Sequence, residues 1–125
     1  MKLKNIFLCT LFMILMFSSC TSLMTPSEVS NTLPTLTESV FYNQAQATEA
    51  INNSKCKLLV KGRTYVAPIG FTEKKDLKNA AKGIDEWVTL DGGNAYALIN
   101  YKWVTVSDDG TTQLHVDFDT LLCKE

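Results

Sequence analysis

The chain has 125 residues, room for one domain, and its 46% apolar content is that of a globular protein. The formal net charge is −1. It becomes −3 once the first 19 residues and their two lysines are removed, which excludes a broad electrostatic footprint for nucleic acid and supplies no polybasic membrane patch by charge balance. Those first residues are a leader. Lys2 and Lys4 precede an uncharged run from Ile6 to Phe17, followed by Ser18-Ser19-Cys20: a basic region, an apolar region and a small-residue cleavage site. An apolar run of this length is too short to cross a bilayer, which takes about 20 residues, so residues 1–19 read as an export signal.

Phe17-Ser18-Ser19-Cys20 resembles the lipobox of bacterial lipoproteins, with phenylalanine where leucine is usual. The resemblance implies that Cys20 is lipidated and becomes the new N-terminus, which would fix the protein lastingly to a membrane. Thr21 follows, where an aspartate would resemble the inner-membrane retention signal, so the outer membrane is the implied address. The alternative is a soluble secreted protein with an incidental cysteine. Cleavage removes 19 of the 125 residues and leaves 106.

Residues 20–54 read as a polar tether rich in Ser, Thr, Asn, Gln and Ala, with Pro26 and Pro34 and few large apolar residues. As a flexible coil it would span ~30–35 Å. Part of it has helical patterning. Thr35-Leu36-Thr37-Glu38 has capping-box spacing, and Val40, Phe41, Ala47 and Ile51 make a narrow apolar face, so a helix near 36–51 would dock through Phe41 and Tyr42.

A small α+β domain is expected over residues 55–125, with three to five strands in the order β(β)αββ and one main helix. Cys56, Leu58 and Val60 alternate with Lys57 and Lys61, and Arg63 to Ala67 continues in β-rich sequence. Gly62 marks either a bulge in one long strand or a tight turn between two. Next comes the main helix, predicted over 73–90. Leu77, Ala80, Ala81, Ile84, Trp87 and Val88 recur at helical spacing, Thr72 caps the start, Glu73 and Asp76 suit the positive end of the dipole, and Gly92-Gly93 supplies the positive φ of a helix stop. Gly83 is the expected weak point, since glycine inside a helix costs about 1 kcal/mol relative to alanine. Residues 94–107 read as a long strand, Ser107-Asp108-Asp109-Gly110 as a turn, and Thr111 to Phe118 as the returning strand of a hairpin, with Leu121-Leu122-Cys123 suited to a short strand after it.

Chemistry-bearing patterns are weak. On a strand, His115, Asp117 and Asp119 share a face, but a lone histidine without thiolate or further nitrogen ligands makes a poor zinc site, and a solvated polar face is the simpler reading. Asp108-Asp109-Gly110 lacks the further ligands of a calcium loop. Gly92-Gly93 follows a helix, whereas a phosphate loop precedes one. Lys57, Lys61 and Arg63 could line a strand face that attracts an anion, or simply be solvated. Asn52-Asn53-Ser54 fits a glycosylation sequon that carries no meaning in a bacterial lipoprotein. No nucleophile–base arrangement can be assembled, so the expectation is no enzyme, no cofactor and no metal.

The cysteines are more informative. Cys9 leaves with the signal and Cys20 is consumed by lipid, so Cys56 and Cys123 remain in an oxidising compartment and can make one intramolecular disulfide. Two reduced cysteines, or a bond between molecules, are the alternatives.

Taken together, the lipobox, the polar segment, Cys56 on the first strand, Leu77 and Ala80-Ala81 on the helix, Gly93-Asn94-Ala95 and Cys123 resemble the small outer-membrane lipoproteins that include the Rcs envelope-stress sensor and its uncharacterised relatives. The chain differs from the sensor in its single pair of mature thiols, where the sensor has two disulfides, and in a longer helix. The resemblance implies a non-enzymatic lipoprotein of the envelope, held to the membrane through Cys20 and working by contact with an envelope protein. An inhibitor or immunity lipoprotein that binds an incoming enzyme is the second reading.

Overall fold

The computed structural model of the protein describes residues 24–125. The expected signal segment 1–19 and the expected lipidation site Cys20 lie outside the described residues. Thr25 caps the first helix, α1 (Pro26–Leu36): its hydroxyl accepts from the Glu28 N–H and the Glu28 carboxylate accepts from its N–H, with Pro26 at the first helical position. A short strand β1 (Val40–Tyr42) leads to α2 (Gln44–Asn52), which opens with a second capping box between Asn43 and Gln46. Then come β2 (Cys56–Val66), α3 (Glu73–Leu90), β3 (Ala95–Thr105) and β4 (Thr112–Cys123).

The fold is α+β, with three helices and one mixed four-stranded sheet in the order β1-β3-β4-β2. β1 runs parallel to β3; the other pairs are antiparallel. The main helix α3 lies across one face of the sheet. Its Leu77, Ala80, Ala81, Ile84 and Val88 are buried against Tyr96, Leu114, Val116 and Phe118. A bulge between Leu98 and Asn100 shifts the parity of β3, so that Tyr101 and Trp103 reach the same layer as Tyr96 and Leu98.

Segment 24–54 is not a free tether. Val29 and Leu33 of α1 are 1% exposed and belong to the main core, with Met24, Leu36 and Phe41 packed against it. Two buried side chains suffice for α1 because α3 already supplies the apolar surface beneath them. α2 covers one end of the opposite sheet face. There Ala47 and Ala50 meet Ala95, Ala97, Leu121, Cys56 and Cys123, small residues on both sides that let helix and sheet approach closely. The predicted single helix over 36–51 is therefore two helices with a strand between them. Phe41 does dock on the main core and Tyr42 on the α2 cluster, whereas Val40 is 56% exposed.

α3 has the predicted bounds and is continuous through Gly83. The reason for that glycine lies in packing: a Cβ there would stand 2.1 Å from the Tyr65 ring, so alanine is a clash at this site and not the improvement that helix propensity suggests. The helix closes on a pair of hydrogen bonds, Gly92 N–H to the Thr89 carbonyl (3.1 Å) and Gly93 N–H to the Val88 carbonyl (2.9 Å), with the positive φ (+81°) at Gly92 alone. In β2, Gly62 (φ +73°) sits in one long strand with register shifts on either side of Val60, which settles the bulge against the turn.

Candidate functional site

The end of the sheet under α2 brings together the first residue of β2 and the last of β4. Cys56 and Cys123 are directly opposed in the ladder and joined, with an S–S distance of 2.02 Å. Both are buried among Ala47, Ala50, Ala95, Ala97 and Leu121. Asn94 fastens the same end to β3: its side chain accepts from the Cys123 N–H (2.8 Å) and donates to the Cys123 carbonyl (2.8 Å).

Just beyond the end of α3, Asp91 collects charge and hydrogen bonds that the sequence did not reveal. Its carboxylate accepts from Arg63 Nε (3.1 Å), from the Arg63 terminal nitrogen and from Thr120 Oγ1 (2.7 Å). The Arg63 guanidinium also lies 4.3 Å from the centre of the Trp87 ring. Arg63 is thus withdrawn from the cationic strand face expected with Lys57 and Lys61. The Arg63 hydrogen bonds outweigh burial and hold the Asp91 carboxyl below its ordinary value; Thr120 adds to this. A carboxyl depressed by folding stabilises at pH above its unfolded value of 3.8, and that contribution is lost as pH falls through the lower folded value. Asp91→Asn is expected to lower the urea midpoint at neutral pH and to shrink the difference between midpoints at pH about 7 and about 2.5. An unchanged difference would show that the pair does not carry the acid sensitivity.

At the opposite end of α3, Asp76 is 3% exposed yet fully engaged. It accepts from Gly70 N–H (2.8 Å) and from Trp103 Nε1 (3.1 Å), tying the loop before the helix to β3. Beside it, a cleft of about 450 Å³ runs between Phe71–Glu73 and the β3–β4 turn. Asp109 on that turn is held down at about 2 by hydrogen bonds from Ser107 and Thr111, as a turn-forming carboxylate should be. Across the sheet, Asp85 accepts from the N–H groups of Glu38 (2.8 Å) and Ser39 (3.0 Å), which pins the α1–β1 connection to α3. Tyr96 lies beneath, with its hydroxyl 3.1 Å from Thr37 Oγ1 and its ring edge-on to Phe41 and Phe118; burial pushes its phenol up to about 12.

His115, Asp117 and Asp119 do share the sheet face that α2 leaves open. Their partners there are Lys102 beside His115, Thr64 Oγ1 donating to Asp117 (2.7 Å), and Gly62 N–H donating to Asp119 (2.8 Å). Among the described residues, no three His, Cys, Asp or Glu side chains are gathered as a metal ion would require. The same residues include no helix long and apolar enough to cross a membrane.

Comparison with protein-family models, with curated proteins and with solved structures finds no match to the chain.

Proposed function

We propose that this protein is a membrane-anchored lipoprotein of the cell envelope that is not an enzyme and acts by contact with another envelope component. The observation that carries the reading is the leader: a basic start, an apolar run too short to span a bilayer, and Ser18-Ser19-Cys20. The Cys56–Cys123 pair supports it, because a disulfide persists in the oxidising space outside the inner membrane and is rare in the cytosol. The placement of three carboxylates along and just after α3 agrees with a structural use. Asp76, Asp85 and Asp91 each accept hydrogen bonds that tie one element to another.

The structure changes how such a protein would sit. Four residues separate Cys20 from Thr25, the cap of α1, so Cys20 stands at most ~17 Å from that cap even with the chain between them fully extended. A lipidated Cys20 would hold the domain against the membrane surface, where a tether of residues 20–54 would have held it clear. Metabolic labelling with an alkyne-bearing palmitate tests the anchor. Label is expected on the wild-type chain and lost in Cys20→Ser, with the wild type remaining in the membrane fraction at high salt. An unlabelled wild-type chain would end the lipoprotein reading.

A further inference from the structure

α3 turns one basic stripe to solvent. Lys74, Lys78 and Lys82 follow one another at four-residue steps, Lys75 stands beside the first of them, and all four are exposed. The one ion pair among the described residues is Arg63–Asp91, so none of these lysines has a carboxylate at pairing distance. Like charges at this spacing weaken a helix. Of the nearby acids, Glu73 lines the cleft facing Asp109 and Asp85 holds the Glu38 and Ser39 N–H groups, while Glu38, Asp85 and Glu86 line a surface recess together with Lys82, so the part of the stripe clear of them is Lys74, Lys75 and Lys78.

A second, independent feature lies at the head of the stripe. Phe71 is 83% exposed, the most exposed large apolar side chain of the described residues, and its backbone is held at φ +66°, a conformation that costs a bulky residue energy. Glycine would take that φ freely, and burial gives the phenyl ring no return. Lys75 folds its stem against Gly70, so the basic stripe begins directly at the Phe71 loop.

We propose that the Phe71 loop and Lys74, Lys75 and Lys78 form a docking surface for an anionic phospholipid membrane, with the ammonium groups at the headgroup phosphates and the ring at the boundary of the acyl chains. The choice of a lipid surface rests on the lipoprotein reading above. The linker of four residues keeps the domain near the headgroups, and α1, where the anchor enters, packs on α3, on the same side of the sheet as the stripe. Lysines on a helix with an adjacent exposed aromatic residue are the composition that anionic leaflets attract, and each lysine near the surface contributes independently.

The test uses the full chain purified from envelopes and mixed with vesicles of phosphatidylglycerol and phosphatidylethanolamine, or of phosphatidylcholine alone. Labelling by a water-soluble amine reagent is read lysine by lysine in the mass spectrometer. On anionic vesicles Lys74, Lys75 and Lys78 are expected to react roughly fivefold more slowly or better, with Lys57, Lys61 and Lys124 as unprotected references, and the protection should vanish at high salt. Lys74→Gln/Lys78→Gln, at exposed positions that leave folding intact, should abolish the protection of Lys75. Phe71→Gly should weaken it without lowering the melting temperature, since glycine relieves the backbone. Equal labelling on the two vesicle types overturns the proposal, as does equal protection of the reference lysines. Protection by soluble polyphosphate but not by anionic vesicles also overturns it, in favour of a soluble polyanion. Sedimentation with phosphatidylcholine vesicles reports the lipid anchor separately, so a failed anchor and a failed docking surface give different results.

Discussion

Gly93→Val is expected to destabilise the domain by about 3 kcal/mol, at the upper end of what overpacking costs and a large share of the stability of a small protein. The glycine's backbone lies against β4. A Cβ at residue 93 would stand 2.6 Å from the Leu121 carbonyl oxygen and 2.8 Å from Thr120 Cγ2. That carbonyl cannot retreat freely, because it accepts from the Asn94 N–H at 3.0 Å. Nor can Gly93 move away, since its own N–H closes α3 on the Val88 carbonyl. The sequence reading of Gly92-Gly93 as a positive-φ helix stop would make backbone strain the cause of that damage. The damage remains, but its cause is close approach, and the positive φ belongs to Gly92, where a Cβ would meet nothing within 4 Å. Gly92→Ala should therefore cost only the backbone strain, about 1 kcal/mol. Chemical denaturation of both variants decides: if Gly92→Ala is the more damaging, the contact with β4 is not what fixes residue 93.

The parts of the fold that were legible are those specified by local sequence. α3 carries its whole signature between Thr72 and Gly93: a threonine cap, acids in the first turn, an apolar stripe and a glycine pair. The β3–β4 hairpin is written in the same local way, in two β-rich runs and a turn. What was missed depends on partners remote in the chain. β1 is three residues long and exists because β3 offers an edge to Val40–Tyr42. α2 buries only alanines, which no hydrophobic pattern marks as a core face; they fit because Ala95 and Ala97 lie beneath. α1 was within reach, since Thr25-Pro26-Ser27-Glu28 has the spacing of a capping box with proline at the first turn, but the polar composition around it resembled a tether.

The polar sites show the same division. Asp91 reads as an ordinary helix end until Arg63, 28 residues earlier, folds across Trp87 to reach it. Gly83 reads as a defect by helix propensity, and only the Tyr65 ring reveals why it is there. A Gly83→Ala change is accordingly expected to destabilise, reversing the sign that local reasoning assigns. Cysteine counting fared differently. It needed no geometry, only the oxidising compartment that residues 1–20 would imply if they are an export signal, and the pair it singled out stands directly opposed in the β2–β4 ladder.

Breaking that bond is the second large effect expected. Cys56 and Cys123 are 67 residues apart in sequence, so the cross-link closes most of the domain into one loop. In the chain-entropy account, opening a loop of this length removes about 4 kcal/mol of stability by freeing the unfolded chain. The folded side of the balance should change little. The ladder still pairs Lys57 with Leu122 and Leu58 with Leu121, and Asn94 still grips both backbone groups of Cys123. The reduced protein, or Cys56→Ser/Cys123→Ser, is therefore expected to keep its far-ultraviolet circular dichroism at low temperature and to melt roughly 15–30 °C lower. Two further measurements locate the bond. Intact mass under non-reducing conditions should be lower by two hydrogens than after reduction, and the protein should run as a monomer on a non-reducing gel. If both thiols alkylate freely in protein purified without reductant, or if reduction leaves the melting temperature where it was, the staple between β2 and β4 does not hold this domain together.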